Sequence, residues 1–85
     1  MGCAFKAISD ERRRTILWIL GKSDARAGEI ASKFNISQPT VSNHLKILKE
    51  AGLINEQKIK QNRFYSLNRA ELGKVIDAIR ELMGE

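Results

Sequence analysis

Apolar positions recur at helical spacing through the first two thirds of the chain, give way to one alternating stretch, and return to helical spacing at the end. Residues 5–8 form a short apolar patch worth one or two helical turns, closed by Ser9. Ser9 reads as the cap of a second helix, with Asp10 and Glu11 at the positive end of its dipole. That helix runs to Gly21 and is apolar at Ile16, Leu17, Trp18, Ile19 and Leu20, a share that suits a central position. Lys22, Ser23 and Asp24 make a loop. Residues 27–34 form a short third helix with Ile30, Ala31 and Phe34 on one face, and Asn35 stops it.

The fourth helix is the most informative. Ser37 is a good N-cap, Pro39 is tolerated in the first turn, and Gly52 accepts the left-handed conformation just past the end. At about 100° per residue, Val41, Leu45 and Leu48 share one stripe, while Gln38, Pro39, Ser42, Asn43 and Lys46 lie mostly on the other side. A merely solvated face is usually filled with Glu, Lys and Arg, yet here the first two turns carry Gln38, Thr40, Ser42 and Asn43. Gln and Asn pair bidentately with adenine, Ser and Thr donate or accept, and Lys reaches phosphate. Only Asn35, Ile36 and Ser37 separate this helix from the third, the length of the turn in a helix-turn-helix. Ala31 is a small residue where the two helices approach.

After Gly52 the pattern changes to extended. Leu53 and Ile54 lead into polar residues 55–60, Gln61 and Asn62 are expected to turn, with Asn62 at positive φ, and Phe64, Tyr65 and Leu67 follow. Lys58, Lys60 and Arg63 surround the tip of this β-hairpin, which reads as a basic wing for sugar-phosphate or a minor groove. Asn68 and Glu71 form a capping-box variant opening a last helix to Met83. Its stripe of Leu72, Val75, Ile76, Ile79, Leu82 and Met83 either packs on the chain's own core or, with Phe5 and Ile8, forms a dimer face. The second reading is favoured, because so small a body leaves apolar surface to spare.

Eighty-five residues make a single domain spanning 1–85. Fifteen Lys and Arg against ten Asp and Glu leave a net charge of +5, which favours an anionic partner. Arg12, Arg13 and Arg14 point in different directions around their helix, so at least one, here Arg13, is expected to face that partner, with solvation or a pair with Glu50 as the alternative for any single one. No apolar run is long enough to span a bilayer, and the start lacks the pattern of a signal peptide, so a cytoplasmic location without stable membrane association is expected. One cysteine, Cys3, makes no internal disulfide.

The order helix, helix, helix, helix, strand, strand, helix, with Ser37-Gln38-Pro39-Thr40-Val41-Ser42-Asn43-His44-Leu45-Lys46-Ile47-Leu48 inside it, resembles the ArsR family of winged helix-turn-helix repressors over nearly the whole chain. Residues 5–10, Arg12-Arg13, Ile16-Leu17 and residues 27–31 are most similar to its SdpR-like branch of small metal-independent autorepressors. The resemblance implies a mainly α fold with a β-hairpin and a homodimer built on the first and last helices. It also implies a palindromic operator on double-stranded DNA, read by recognition helices in successive major grooves. Carried over by position, Gln38, Pro39, Thr40, Ser42, Asn43, His44 and Lys46 form the recognition set and Lys60, Asn62 and Arg63 the wing set, with a structural hydrogen bond as the alternative for His44.

Many relatives in the family sense metals through third-helix cysteines or last-helix Asp and His. Here the third helix has no Cys and the last no His, so no metal and no cofactor is expected, and an effector protein or small molecule is left open. Nothing in the chain supports catalysis: no nucleophile with its base, no phosphate-cradling glycine loop, no carboxylate pair. The rival to a DNA-binding regulator is a winged helix used for protein contacts or RNA, which would want an apolar or acidic outer face on residues 38–46.

Overall fold

In the computed structural model, residues 2–85 are described and form α1 (Gly2–Ile8), α2 (Glu11–Lys22), α3 (Ala27–Phe34), α4 (Gln38–Glu50), β1 (Ile54–Ile59), β2 (Asn62–Leu67) and α5 (Arg69–Leu82). This is the winged helix-turn-helix order expected from the sequence. The fully buried side chains Ile16, Leu20, Ile30, Val41, Leu45, Leu48, Leu53 and Val75 come from α2, α3, α4, α5 and the segment leading into β1, so one core joins all of them. Each such aliphatic contributes on the order of 1.5–3 kcal/mol relative to exposure. Ala31 is buried where α3 meets α4.

Three local expectations are corrected. The N-cap of α2 is Asp10, whose carboxylate accepts from the amides of Arg12 at 2.8 Å and Arg13 at 3.2 Å. Ser9 instead donates its hydroxyl to the Lys6 carbonyl at 2.6 Å and closes α1. A carboxylate satisfies two orphan amides and carries the charge the dipole favours, so it outcompetes the hydroxyl. Trp18 is not central: it is 65% exposed, with the Lys22 ammonium 5.3 Å from its ring centroid. At 100° per residue it lies opposite the mean direction of Ile16, Leu17, Ile19 and Leu20.

The third correction is the wing turn. Ile59 pairs with Asn62, so the loop is Lys60 and Gln61, and Lys60 takes the positive φ of 58°. A two-residue loop with positive φ at its first position has the sign pattern of a II′ turn, whose twist suits the flanking strands. Asn62 belongs to β2. The sheet also has a rung that no pattern announced: Ala25, between α2 and α3, exchanges backbone hydrogen bonds with Tyr65 at 3.1 and 2.8 Å. This rung stitches the base of the wing to the helices.

At the same base, where β2 ends, Asn68 caps α5 by accepting from the Glu71 amide at 3.2 Å, and its side-chain amide donates to the Gly52 carbonyl at 3.0 Å. Gly52 has φ 79°, as its place after α4 requires. The molecule extends 45 × 24 × 21 Å. Val75, expected on a dimer face, is 2% exposed and belongs to the protomer's own core, while Phe5, Ile8 and Leu72 are half-buried against it. Ile76, Ile79, Leu82 and Met83 remain exposed, Leu82 at 84%. Among the described residues, no helix is long and apolar enough to cross a membrane.

Candidate nucleic-acid interface

The candidate surface begins at the α3–α4 turn. Ser37 Oγ accepts from the Thr40 amide at 3.3 Å and shares a 2.8 Å hydrogen bond with Thr40 Oγ1, so the Thr40 hydroxyl is partly engaged in holding the first turn. Pro39 follows in that turn, exposed. Val41, Leu45 and Leu48 seat α4 in the core, which turns Gln38, Ser42, Asn43 and Lys46 outward. Gly28 of α3 stands behind Gln38: a Cβ there would lie 3.5 Å from Gln38 Oε1.

Between α4 and the wing runs an open groove of about 810 Å³. Gln38, Ser42 and Lys46 line it from α4, and Gln61, Asn62 and Arg63 from the wing. Helix and hairpin, separate in the sequence, therefore share one concave face. The groove holds four cations, Arg26, Lys46, Lys49 and Arg63, and two carboxylates, Glu29 and Glu56. Arg26 and Glu29 pair at 3.1 Å, and Glu29 also accepts from the Arg26 amide at 3.0 Å, which caps α3. Hydrogen bonds from the Arg26 backbone and side chain hold the Glu29 carboxyl below its ordinary range. Lys60 sits exposed at the turn.

Two expected members of the set face inward. His44 is 8% exposed, and its Nδ1 lies 3.3 Å from Arg13 Nη1. Arg13 also donates from Nε to the Ala7 carbonyl at 2.6 Å and from Nη2 to the Lys6 carbonyl at 3.2 Å. The guanidinium thus satisfies the last carbonyls of α1 and reaches α4 with its remaining arm. Because a guanidinium only donates, a hydrogen bond here uses Nδ1 of His44 as the acceptor. Both residues are corrected from groove contacts to a clasp joining α1, α2 and α4. The helical angle explains His44, which adjoins Leu45 and shares the side of Val41 and Leu48. Arg13 was one choice among three, and only the tertiary contact distinguishes it. Arg14 is similarly engaged, donating to the Ile8 carbonyl at 2.7 Å.

Sequence reasoning missed Lys49 and Glu56 as groove residues. Lys49 Nζ donates to Glu56 Oε1 at 3.0 Å, Tyr65 OH donates to Oε2 at 3.3 Å, and Arg63 Nη1 stands 3.8 Å from Oε2. The hydrogen bond from Lys49 outweighs the effect of burial and holds the Glu56 carboxyl below its ordinary range. Burial, and then the charge of Glu56, push the Tyr65 hydroxyl above its own. A helix-to-strand pair of this kind follows no local spacing rule. The strand alternation that puts Glu56 opposite Tyr65 was the only available hint. Among the described residues, no three His, Cys, Asp or Glu side chains gather where they would hold a metal ion, and Cys3 is exposed.

Comparisons with known proteins bear on the family and the fold. Residues 10–56, from the cap of α2 into β1, match the model of the arsR family of bacterial regulatory proteins. The transcriptional repressor SdpR of Bacillus subtilis is 50% identical over 72 residues, covering 85% of this chain and 80% of that protein. The transcriptional activator HlyU of Vibrio cholerae is 36% identical over 77 residues, covering 91% of this chain and 71% of HlyU. Among solved structures, an ArsR-like transcriptional regulator from Rhodococcus superposes with a TM-score of 0.86 at 30% identity, covering 98% of this chain and 78% of that one.

Proposed function

This chain belongs to the arsR family of bacterial regulatory proteins and is a sequence-specific DNA-binding transcriptional regulator, and from that premise we propose that it acts as a two-fold dimeric repressor on a palindromic operator, with its own gene as the first target to test. The single observation that carries this reading is the shared groove, in which the uncharged polar face of α4 and the basic wing converge on one side. Gln38, Ser42, Asn43 and Lys46 enter the major groove, with Pro39 and Thr40 shaping the leading turn. Lys60, Asn62 and Arg63 meet sugar-phosphate. The exposed apolar end of α5 supports the dimer, since Ile76, Ile79, Leu82 and Met83 find no cover in one protomer. SdpR supports repression, whereas HlyU is an activator, so the direction of regulation is tested in its own right. A regulator that binds chromosomal DNA acts in the cytoplasm, which is the location proposed with this reading.

Each protomer presents Lys46, Lys60 and Arg63 to phosphate, so a dimer displaces roughly six counterions, and affinity for duplex DNA should fall about a thousandfold between about 50 and 200 mM salt. Fluorescence anisotropy with a labelled duplex of the chain's own upstream region measures this. Affinity that does not change with salt would overturn the reading. Reporter expression in the presence and absence of the protein then separates repression from activation.

A further inference from the structure

The groove contains a feature that works against phosphate binding. Two of its four cations, Lys49 and Arg63, together with the Tyr65 hydroxyl, converge on the carboxylate of Glu56. The Glu56 side chain is only 16% exposed, while those of Lys49 and Arg63 are 53% and 63% exposed. The anion is therefore recessed at the foot of the groove and the cations reach inward over it. A duplex whose backbone followed this groove would offer its own anion to the same donors.

We propose that Glu56 is a built-in competitor of DNA phosphate, holding Lys49 and Arg63 so that duplex binding of any sequence is weaker than the basic groove would otherwise give. This rests on the DNA-binding reading above. A phosphate seated at Lys49 and Arg63 either displaces the carboxylate from both cations or stands beside an uncompensated negative charge, and each outcome costs affinity. Because the penalty falls on phosphate contacts, which dominate non-specific binding, it limits how much of a scarce regulator is retained by the rest of the genome. At neutral pH the carboxyl is ionised even at its ordinary value, and the hydrogen bond from Lys49 lowers it further, so the seat stays closed.

The opposite role, a carboxylate that preorganises Lys49 and Arg63 for phosphate, predicts the opposite sign and makes the test decisive. Glu56→Gln keeps the size and the acceptor for Tyr65 but removes the charge. Measured by anisotropy on a random-sequence duplex and on the operator duplex, it should tighten both by about tenfold and steepen the salt slope by about 0.9 per protomer, the increment for Lys49, since Arg63 already counts among the phosphate contacts of the unmodified protein. Glu56→Ala should shift affinity in the same direction, which separates loss of charge from any packing change. Lys49→Gln should weaken binding more in the Glu56→Gln background than in the natural one. Binding that is unchanged or weaker in both Glu56 variants, with wild-type binding intact, overturns the competitor and leaves the DNA-binding reading standing. Failure of the unmodified protein to bind any duplex at low salt overturns both.

Discussion

α4 and α5 are helices of nearly equal length, 13 and 14 residues, that meet solvent in opposite ways. α4 buries Val41, His44, Leu45 and Leu48 and shows water a face of amides, a hydroxyl and a lysine. α5 buries only Val75 and leaves Ile76, Ile79, Leu82 and Met83 uncovered. An exposed face of short polar residues gives up helix propensity and gains donors and acceptors, which suits a polar ligand read by geometry. An exposed aliphatic face gains nothing from water, which suits a second protein surface. On the proposed reading the two helices divide the work: one face for nucleic acid, one for another copy of the chain.

The largest effect should come from attacking the α5 side. Replacing Ile79 and Leu82 together with Glu puts charge on the uncovered stripe. A buried Leu or Ile contributes on the order of 1.5–3 kcal/mol, so dimerisation should weaken by orders of magnitude. Sedimentation should show monomers, and affinity for the palindrome should collapse with the loss of the separation of about 34 Å between recognition helices. A dimer that persists with full affinity would place the interface elsewhere.

On the α4 side the expected change is smaller and of another kind. Gln38→Ala or Asn43→Ala should each reduce discrimination between operator and mutated operator by about 1–3 kcal/mol, roughly 5- to 150-fold, with little change on random duplex. Competition anisotropy measures that ratio, and equal losses on both duplexes would move these residues to the backbone-contacting class.

Lys60→Gly separates stability from binding at the wing. Lys60 occupies positive φ, where a side chain costs on the order of 1 kcal/mol, so glycine should raise the melting temperature while weakening all duplexes and flattening the salt slope. A variant that is both less stable and equally tight would contradict both assignments.

The smallest effect is in pH. The carboxyls of Glu29 and Glu56, and that of Asp10, lie below their ordinary values. For Asp10 the burial effect, the largest single influence, runs the other way and is overcome by the amides of Arg13 and Arg12. Groups with depressed values stabilise the fold fully above their ordinary range, and the contribution is lost as pH falls through the depressed values. Lys74 on α5, raised by its hydrogen bond to Glu71, behaves in reverse and loses its contribution only as pH rises past 10.5. Amide exchange between about pH 6 and about pH 3 should therefore loosen the surroundings of α4 before α5. Simultaneous loosening would remove the electrostatic part of the contrast.

Local rules were enough for much of this protein. The caps Ser37 and Asn68, the stop at Asn35, the glycine after α4 and the aliphatic stripe of α4 are set by hydrogen bonds and periodicities within one or two turns, so they could be read directly from the chain. The winged helix-turn-helix followed, as did the outward set Gln38, Ser42, Asn43 and Lys46. Tertiary structure alone decided what depends on partners far apart in the chain. Arg13 was separated from Arg12 and Arg14 by its contact with His44, 31 residues away. Val75 was divided from Ile76 and Ile79 by how far α5 overlaps the body. Lys49 and Arg63 were drawn to Glu56 across the helix–strand junction. Even the wing turn, one residue earlier than its composition suggested, was set by strand register and twist, because pairing across six rungs outweighs the modest preference of Asn over Lys for positive φ.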